Sequence, residues 1–362
     1  MYIKTILLIG TLYCLTHGLA SADYFAQLNG IEKQRLNDLG GTKQSLKDIS
    51  EHKSDFSNKE KSLYLLLQAH SETMSSNFPK AERLLLDIIN SDAEVDYKGR
   101  AHSILAGVLQ LQGKYVRSYV HLDKSLGFLP MMDDEEYKVS ILKNAVSFYN
   151  DSGMLDYAMD YARRLLKFGV QRKDLSNQCQ AYFEMTVMEL LADKHDLAAD
   201  RLARTGDICS KANDKLLLLH LPNIRADIAM REGKISTAKK LLEENYIEVK
   251  KYGWKILNAS TEIKLAKLYS NLGNYREAEK LALKALKVSK DTGDIKRSKG
   301  AAEILAKIYS ELDQKEKAIK HFQMYMEFEQ RLNASSRQRK LAFYKARQQL
   351  RAEQLAKLDS TN

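Results

Sequence analysis

Small residues recur along this chain at a fixed interval. Ser118, Ala158, Ala198, Ala238, Ala278 and Ala318 lie forty apart, and Ala81 lies thirty-seven before the first. Each follows a turn-like stretch and opens a run whose apolar positions are spaced by three and four, the period of one helix face. A fixed period in this range predicts stacked helical hairpins, each hiding its apolar face against the next.

A second set of small or medium residues lies twelve positions before the first: Ala69, Ala106, Val146, Thr186, Ala226, Ala266 and Ala306. Two helices joined by a short turn approach to about 8 Å only where small side chains meet at the crossing. The pairs Ala266/Ala278 and Ala306/Ala318 are therefore both expected to be tight. Large residues flank the crossing: Phe78, Tyr115, Leu155, Ile235 and Tyr275 after the turn, then Leu85, Leu122, Leu202, Leu242 and Phe322 farther on. Late positions on the second helix are irregular (Ser125, Leu165, Thr205, Asn245). Three prolines and no alternating β-branched segment favour an all-α chain.

The clearest copy reads Ala259, Leu265, Ala266, Tyr269, Leu272-Gly273-Asn274-Tyr275, Ala278, Ala285, and the next repeats it with Leu305, Ala306, Tyr309, Ala318 and Phe322. Turns recur as Gln112-Gly113-Lys114-Tyr115, Ser152-Gly153 and Glu232-Gly233-Lys234-Ile235. The copy around Ala198 has Asp193-Lys194-His195 in place of a glycine turn. This resembles the tetratricopeptide repeat over roughly residues 60–330. The family's usual repeat-end proline is absent, and the forty-residue period implies helices nearly one turn longer than its usual ones. The resemblance implies a right-handed α-solenoid of about seven hairpins over 61–332, an atypical hairpin cap at 23–60 and a basic C-terminal helix or tail at 333–362. In the cap, Leu28, Ile31 and Leu36 precede a turn at Gly40-Gly41, and Leu46 and Ile49 follow.

In that family the groove is lined by first-helix residues that point away from the second helix. By register these are Arg100, Gln110, Lys143, Ser147, Asn150, Asn223, Asp227, Lys267, Asn271 and Lys307, with an apolar patch at Phe183, Val187, Leu190 and Leu191. Some members use Lys and Asn to grip a peptide's terminal carboxylate, but the full clamp does not fall within two consecutive repeats here. The implied partner is a protein or peptide. The repeats are also similar to exported sensor regions of bacterial signalling proteins, which implies a second reading. There the chain is a sensory ectodomain with a membrane-bound signalling partner, and its basic C-terminal helix is the linker to a cyclase or kinase.

The N-terminus reads as a secretory leader over 1–22. Lys4 is its charge, Ile6 to Leu15 a short apolar core, and Ala20-Ser21-Ala22 a small-x-small site, with cleavage expected after Ala22. The core is too short for a stable span, and a periplasmic or secreted location follows. Cys14 follows Tyr13, unlike a lipid-attachment cysteine. The mature chain keeps Cys179 and Cys209, fourteen residues before and sixteen after the turn near Asp193. Those positions face each other in an antiparallel hairpin, and export permits a disulfide.

The formal charge is +10, and +6 of it lies between Arg331 and Asn362. Leu341, Tyr344, Leu350, Leu355 and Leu358 give that segment one apolar side, which suits a solvated helix that caps the last repeat or enters a short coiled coil. A basic tail suits nucleic acid or anionic membrane, and export argues against nucleic acid. No catalytic or metal constellation appears in the sequence. His102 and His121 share one repeat without a third ligand. Asp133-Asp134-Glu135-Glu136 suits the start of a helix better than a cation loop. The expectation is a non-enzymatic binder without metal or cofactor.

Overall fold

The computed structural model describes residues 23–35 and 39–361; the expected leader and its cleavage site lie outside them, as does Leu36. A cap of α1 (Tyr24–Gln34) and α2 (Leu39–Ile49), closed by a 3-10 turn at Ser50–Asp55, precedes seven hairpins. These are α3–α4 (Asn58–Met74, Phe78–Asn90), α5–α6 (Val95–Leu111, Tyr115–Phe128), α7–α8 (Glu135–Asp151, Leu155–Gln171) and α9–α10 (Leu175–Leu191, His195–Lys211), followed by α11–α12 (Lys215–Arg231, Ile235–Tyr252), α13–α14 (Lys255–Asn271, Tyr275–Asp291) and α15–α16 (Ile295–Glu311, Lys315–Thr361). No strand occurs among the described residues.

The hairpins owe their regularity to two kinds of turn. Within repeats, Gly113, Gly153, Gly233 and Gly273 sit at φ of 72°, 66°, 73° and 76°, and Asp193 takes the same left-handed conformation at 59°. The backbone then closes in the helix-terminating pattern in which Gly113 N–H bonds Gln110 O and Lys114 N–H bonds Leu109 O. Between repeats the left-handed residue is Lys173, Asn213, Gly253 or Gly293. The residue before each following helix is often an aspartate: Asp134, Asp174, Asp214 and Asp294 accept from the backbone N–H of Tyr137, Asn177, Leu217 and Arg297. The acidic run at 133–136 is thus a helix start.

The crossings are close. Of the seven small-residue pairs, six are buried on both sides. The Ser118 hydroxyl donates to Ala106 O at 2.8 Å, directly across one crossing. Ala306 and Ala318 are only half-buried, because no further hairpin covers them. For the same reason Phe322, expected in the core, is exposed. The irregular polar positions find partners on the facing helix: Ser125 Oγ donates to Gly99 O at 2.9 Å, and Thr205 meets Thr186 at 3.1 Å. Pro222 in α11 has no N–H to give the preceding turn, and Asn245 of α12 donates to the Leu219 carbonyl at 3.0 Å.

Both ends depart from expectation. Gly40 and Gly41 lie inside α2, not in a turn. Leu28 of α1 is fully buried against the first repeats, and the Tyr137 hydroxyl of α7 faces Glu32 Oε2 at 3.5 Å, so α1 reaches across the start of the stack. At the other end, the boundary drawn at 332/333 falls within one uninterrupted helix of 47 residues, α16. Its distal half does not cap the last repeat: the stretch around 336–346 docks elsewhere, while Leu341, Tyr344, Leu355 and Leu358, expected on one apolar side, are exposed. Ala342, Phe343 and Ala346 are buried against α6, α7 and α8. The Phe343 ring packs edge-on against Tyr119, Tyr149 and Tyr157 at 5.6, 5.8 and 5.1 Å. Ser336 Oγ donates to Ser152 O, Arg339 to Asp151 O, and Lys124 meets Glu353 at 3.5 Å. The helix straps the seventh repeat to the second and third.

Candidate functional site: the groove of repeats four to seven

The first helix of each hairpin carries residues at a forty-residue register, and four such helices converge on one cavity of about 700 Å³. Of the residues expected in the groove, Leu190, Leu191, Asp227, Lys267, Asn271 and Lys307 line it. The positions 227, 267 and 307 are one register, and 191, 231 and 271 another. An apolar floor comes from Met230, Ile263 and Ile304.

The polar groups are partly paired. Lys264 forms an ion pair with Asp227, and Lys307 Nζ donates to Asn271 Oδ1 at 2.9 Å. Arg231 Nη1 and Asp193 Oδ1 both meet His195 Nε2, at 2.5 and 2.9 Å. Lys267 extends without an ion-pair partner among the described residues. Four cations (Arg231, Lys264, Lys267, Lys307) face two carboxylates (Asp227, Glu303), so the cavity is net basic over an apolar floor.

Other expected residues sit elsewhere. Asn223 does not line the groove: it is buried, donates to Thr261 Oγ1 at 2.9 Å and accepts from Asn245 at 3.3 Å. The polar network around the proline-interrupted turn of α11 draws it inward. Arg100 lies beneath the reach of α1, half-buried over the Tyr137 ring at 5.9 Å, with Nη1 sealed and unpaired. Burial pushes its pKa down to about 10. Burial likewise lowers the Lys143 pKa, opposed by the carboxylates of Asp174 and Asp214. Gln110 and Asn150 end α5 and α7, half-buried and outside the cavity, and Ser147 is exposed on α7. Phe183 and Val187 pack with Leu190 against Leu202, Leu221 and Ile224, continuing the apolar floor upstream. Phe183 then meets His220, and His220 meets Trp254, at ring distances of 5.6 and 6.0 Å.

Sequence reasoning missed His195, Met230, Arg231, Lys264 and Glu303. Arg231 was legible, since it lies forty before Asn271. His195 was not, because it opens a second helix and reaches the groove only through its turn. Behind the floor, Cys179 of α9 and Cys209 of α10 are joined by a disulfide, S–S 2.09 Å, fully buried beside Leu217. His102 and His121 meet Nδ1 to Nδ1 at 2.8 Å against Phe128, and no group of three metal-ligating side chains occurs among the described residues. No helix among them is long and apolar enough to cross a membrane.

No family model and no curated protein matches this chain. Solved structures do match in shape. The apo form of RapI superposes with a TM-score of 0.63 at 11% identity, over 86% of this chain and 87% of that one. The apo form of the quorum sensor NprR from B. thuringiensis gives 0.64 at 12% identity, over 84% and 87%. Aspartyl phosphate phosphatase F from Bacillus subtilis gives 0.60 at 13% identity, over 84% and 80%. The fold is a tetratricopeptide-type repeat solenoid. At such identities the likeness is one of fold alone.

Proposed function

We propose that this tetratricopeptide-type chain is an exported scaffold that holds an extended protein or peptide segment in the groove of repeats four to seven. The observation that carries the reading is the convergence of Leu190, Asp227, Lys267, Asn271 and Lys307, from four successive first helices, on one cavity. An apolar floor supplies contact area, and the basic rim sets polarity and on-rate. Two structures of similar fold support it: a Rap protein was solved with competence and sporulation factor, and NprR with its cognate peptide NprX. The role is binding and not catalysis.

The test is a pull-down from periplasmic extract with the mature protein, followed by titration of the partner recovered. Replacing Asp227, Lys267 and Asn271 together by Ala weakens that partner at least tenfold, about 1.4 kcal/mol. Binding unchanged by the triple substitution moves the site out of this cavity.

Export rests on Lys4, the short apolar core and Ala20-Ser21-Ala22, and the Cys179–Cys209 bridge suits an oxidising compartment. Intact-mass analysis of the periplasmic protein is expected to begin at Asp23 with both cysteines oxidised. Recovery only from cytoplasm, with Met1 retained, rejects export.

A further inference from the structure

Every internal hairpin hides one position of its second helix against the next hairpin. Leu85, Leu122, Ala162, Leu202, Leu242 and Ala282 hold that position and are 0–5% exposed; Phe322 holds it in the last hairpin and is 54% exposed. Around it, Ile319 and Met326 are also exposed, and Ala306, Ser310, Ala318 and Tyr325 line an open cavity of about 520 Å³. Stack ends in soluble solenoids carry a polar outer face. This end carries an aromatic knob beside a hole of small residues.

We propose that this face is covered by the same face of a second copy, in a two-fold dimer with the two α16 helices antiparallel about Phe322. The face is self-complementary, which an isologous contact requires. Ala318 then faces the second copy's Met326, and Ile319 its Tyr325. Lys315 and Glu329 lie seven residues either side of Phe322, so each Lys315 meets the second copy's Glu329, which also contacts its own Lys299 at 2.6 Å. The two charged residues lining the cavity, Glu303 and Lys307, sum to zero in a chain of charge +10. A like-charged copy therefore meets no repulsion here, and an anionic partner finds no attraction. The antiparallel arrangement also sends the two basic distal halves of α16 in opposite directions. A parallel pairing would lay them together and is disfavoured by their charge.

Sedimentation velocity of the mature protein over a concentration series decides it. The expected result is a dimer whose dissociation constant rises at least about tenfold in Phe322→Glu. Lys320→Glu, about 200° around the helix, is expected to leave the dimer unchanged. A mixture of Ala318→Cys and Met326→Cys proteins is expected to form a mixed disulfide, and Lys320→Cys none. A wild-type protein that stays monomeric overturns the proposal. So does a dimer that survives Phe322→Glu, or cross-linking through Lys320→Cys in place of 318 and 326. Melting curves and circular dichroism of Phe322→Glu separate loss of the contact from loss of the fold.

Discussion

At the scale of single residues, the histidines are the most informative groups. His102 and His121 face each other inside one hairpin, His70 has a sealed Nε2 without a partner, and His220 is wedged between Phe183 and Trp254. Burial holds all four below their ordinary value, to about 3 for His102 and about 4 for His70, His121 and His220. Nearby cations add to the effect: Arg35 and Arg100 at His70, Lys124 at His102 and His121, Arg297 and Lys264 at His220. The unfolded chain binds protons below about pH 6.5, where the folded chain refuses them. The stabilisation is complete above pH 6.5 and is lost as the pH falls toward 4. Each histidine so withheld costs up to about 1.4 kcal/mol per pH unit in that window. Thermal melts from pH 7.5 to 4.5 are expected to fall steeply below 6.5. A flat profile through that window means that these imidazoles are hydrated in solution.

At the scale of the element, the sequence carried nearly the whole hairpin. Small residues at a twelve-residue separation revealed the crossings, and Ser118 bonds Ala106 O because the helices touch there. Glycines marked four turns, but Asp193, Lys173 and Asn213 adopt the same left-handed conformation without announcing it. Asparagine and aspartate tolerate that region and appear in many other contexts, so their signal is weak. Asn223 shows the limit within a helix. Its register position holds Phe183 and Ile263 in neighbouring repeats, on the groove side, yet a proline next to it and an asparagine on the facing helix turn it inward. One prediction separates internal from terminal elements. Ala278 is fully buried at a crossing, whereas Ala318 borders the open end of the stack. Ala278→Leu is expected to cost about 1–3 kcal/mol by overpacking. In dilute protein, with the proposed dimer dissociated, Ala318→Leu is expected to cost measurably less, because its added carbons extend into open space. Equal losses in denaturant titrations of dilute protein would mean that the last crossing of the single chain is packed as tightly as an internal one.

At the scale of the whole molecule, α16 changes the kind of object this is. A solenoid is quasi-one-dimensional, each repeat contacting its neighbours, and its curvature is set only by small per-repeat rotations. Here a single uninterrupted helix leaves the seventh repeat and is pinned to the second and third by Phe343, Arg339 and Ser336. That contact spans about two hundred residues of sequence and closes the stack into a braced arc. No periodicity announces it, since the register that betrays a repeat ends with Ala318. The basic charge of 331–362 even argues for a solvated segment. No residue of α16 lines the groove of repeats four to seven, so the strap can act on that groove only through the spacing of the repeats it joins. Removing residues 334–362 is therefore expected to raise the radius of gyration in small-angle scattering. It is also expected to broaden the unfolding transition, as repeats regain independence. Phe343→Ala is the sharper probe. It deletes an aromatic side chain that is 4% exposed and packed on three tyrosines, a loss of about 3–5 kcal/mol if the strap stays docked. If the strap releases, the cost stops at the docking free energy and the scattering profile shifts to that of the deletion. In that case the groove's partner is expected to bind more weakly to Phe343→Ala although every groove residue is intact. Unchanged scattering with both variants would show that the repeats alone hold the arc.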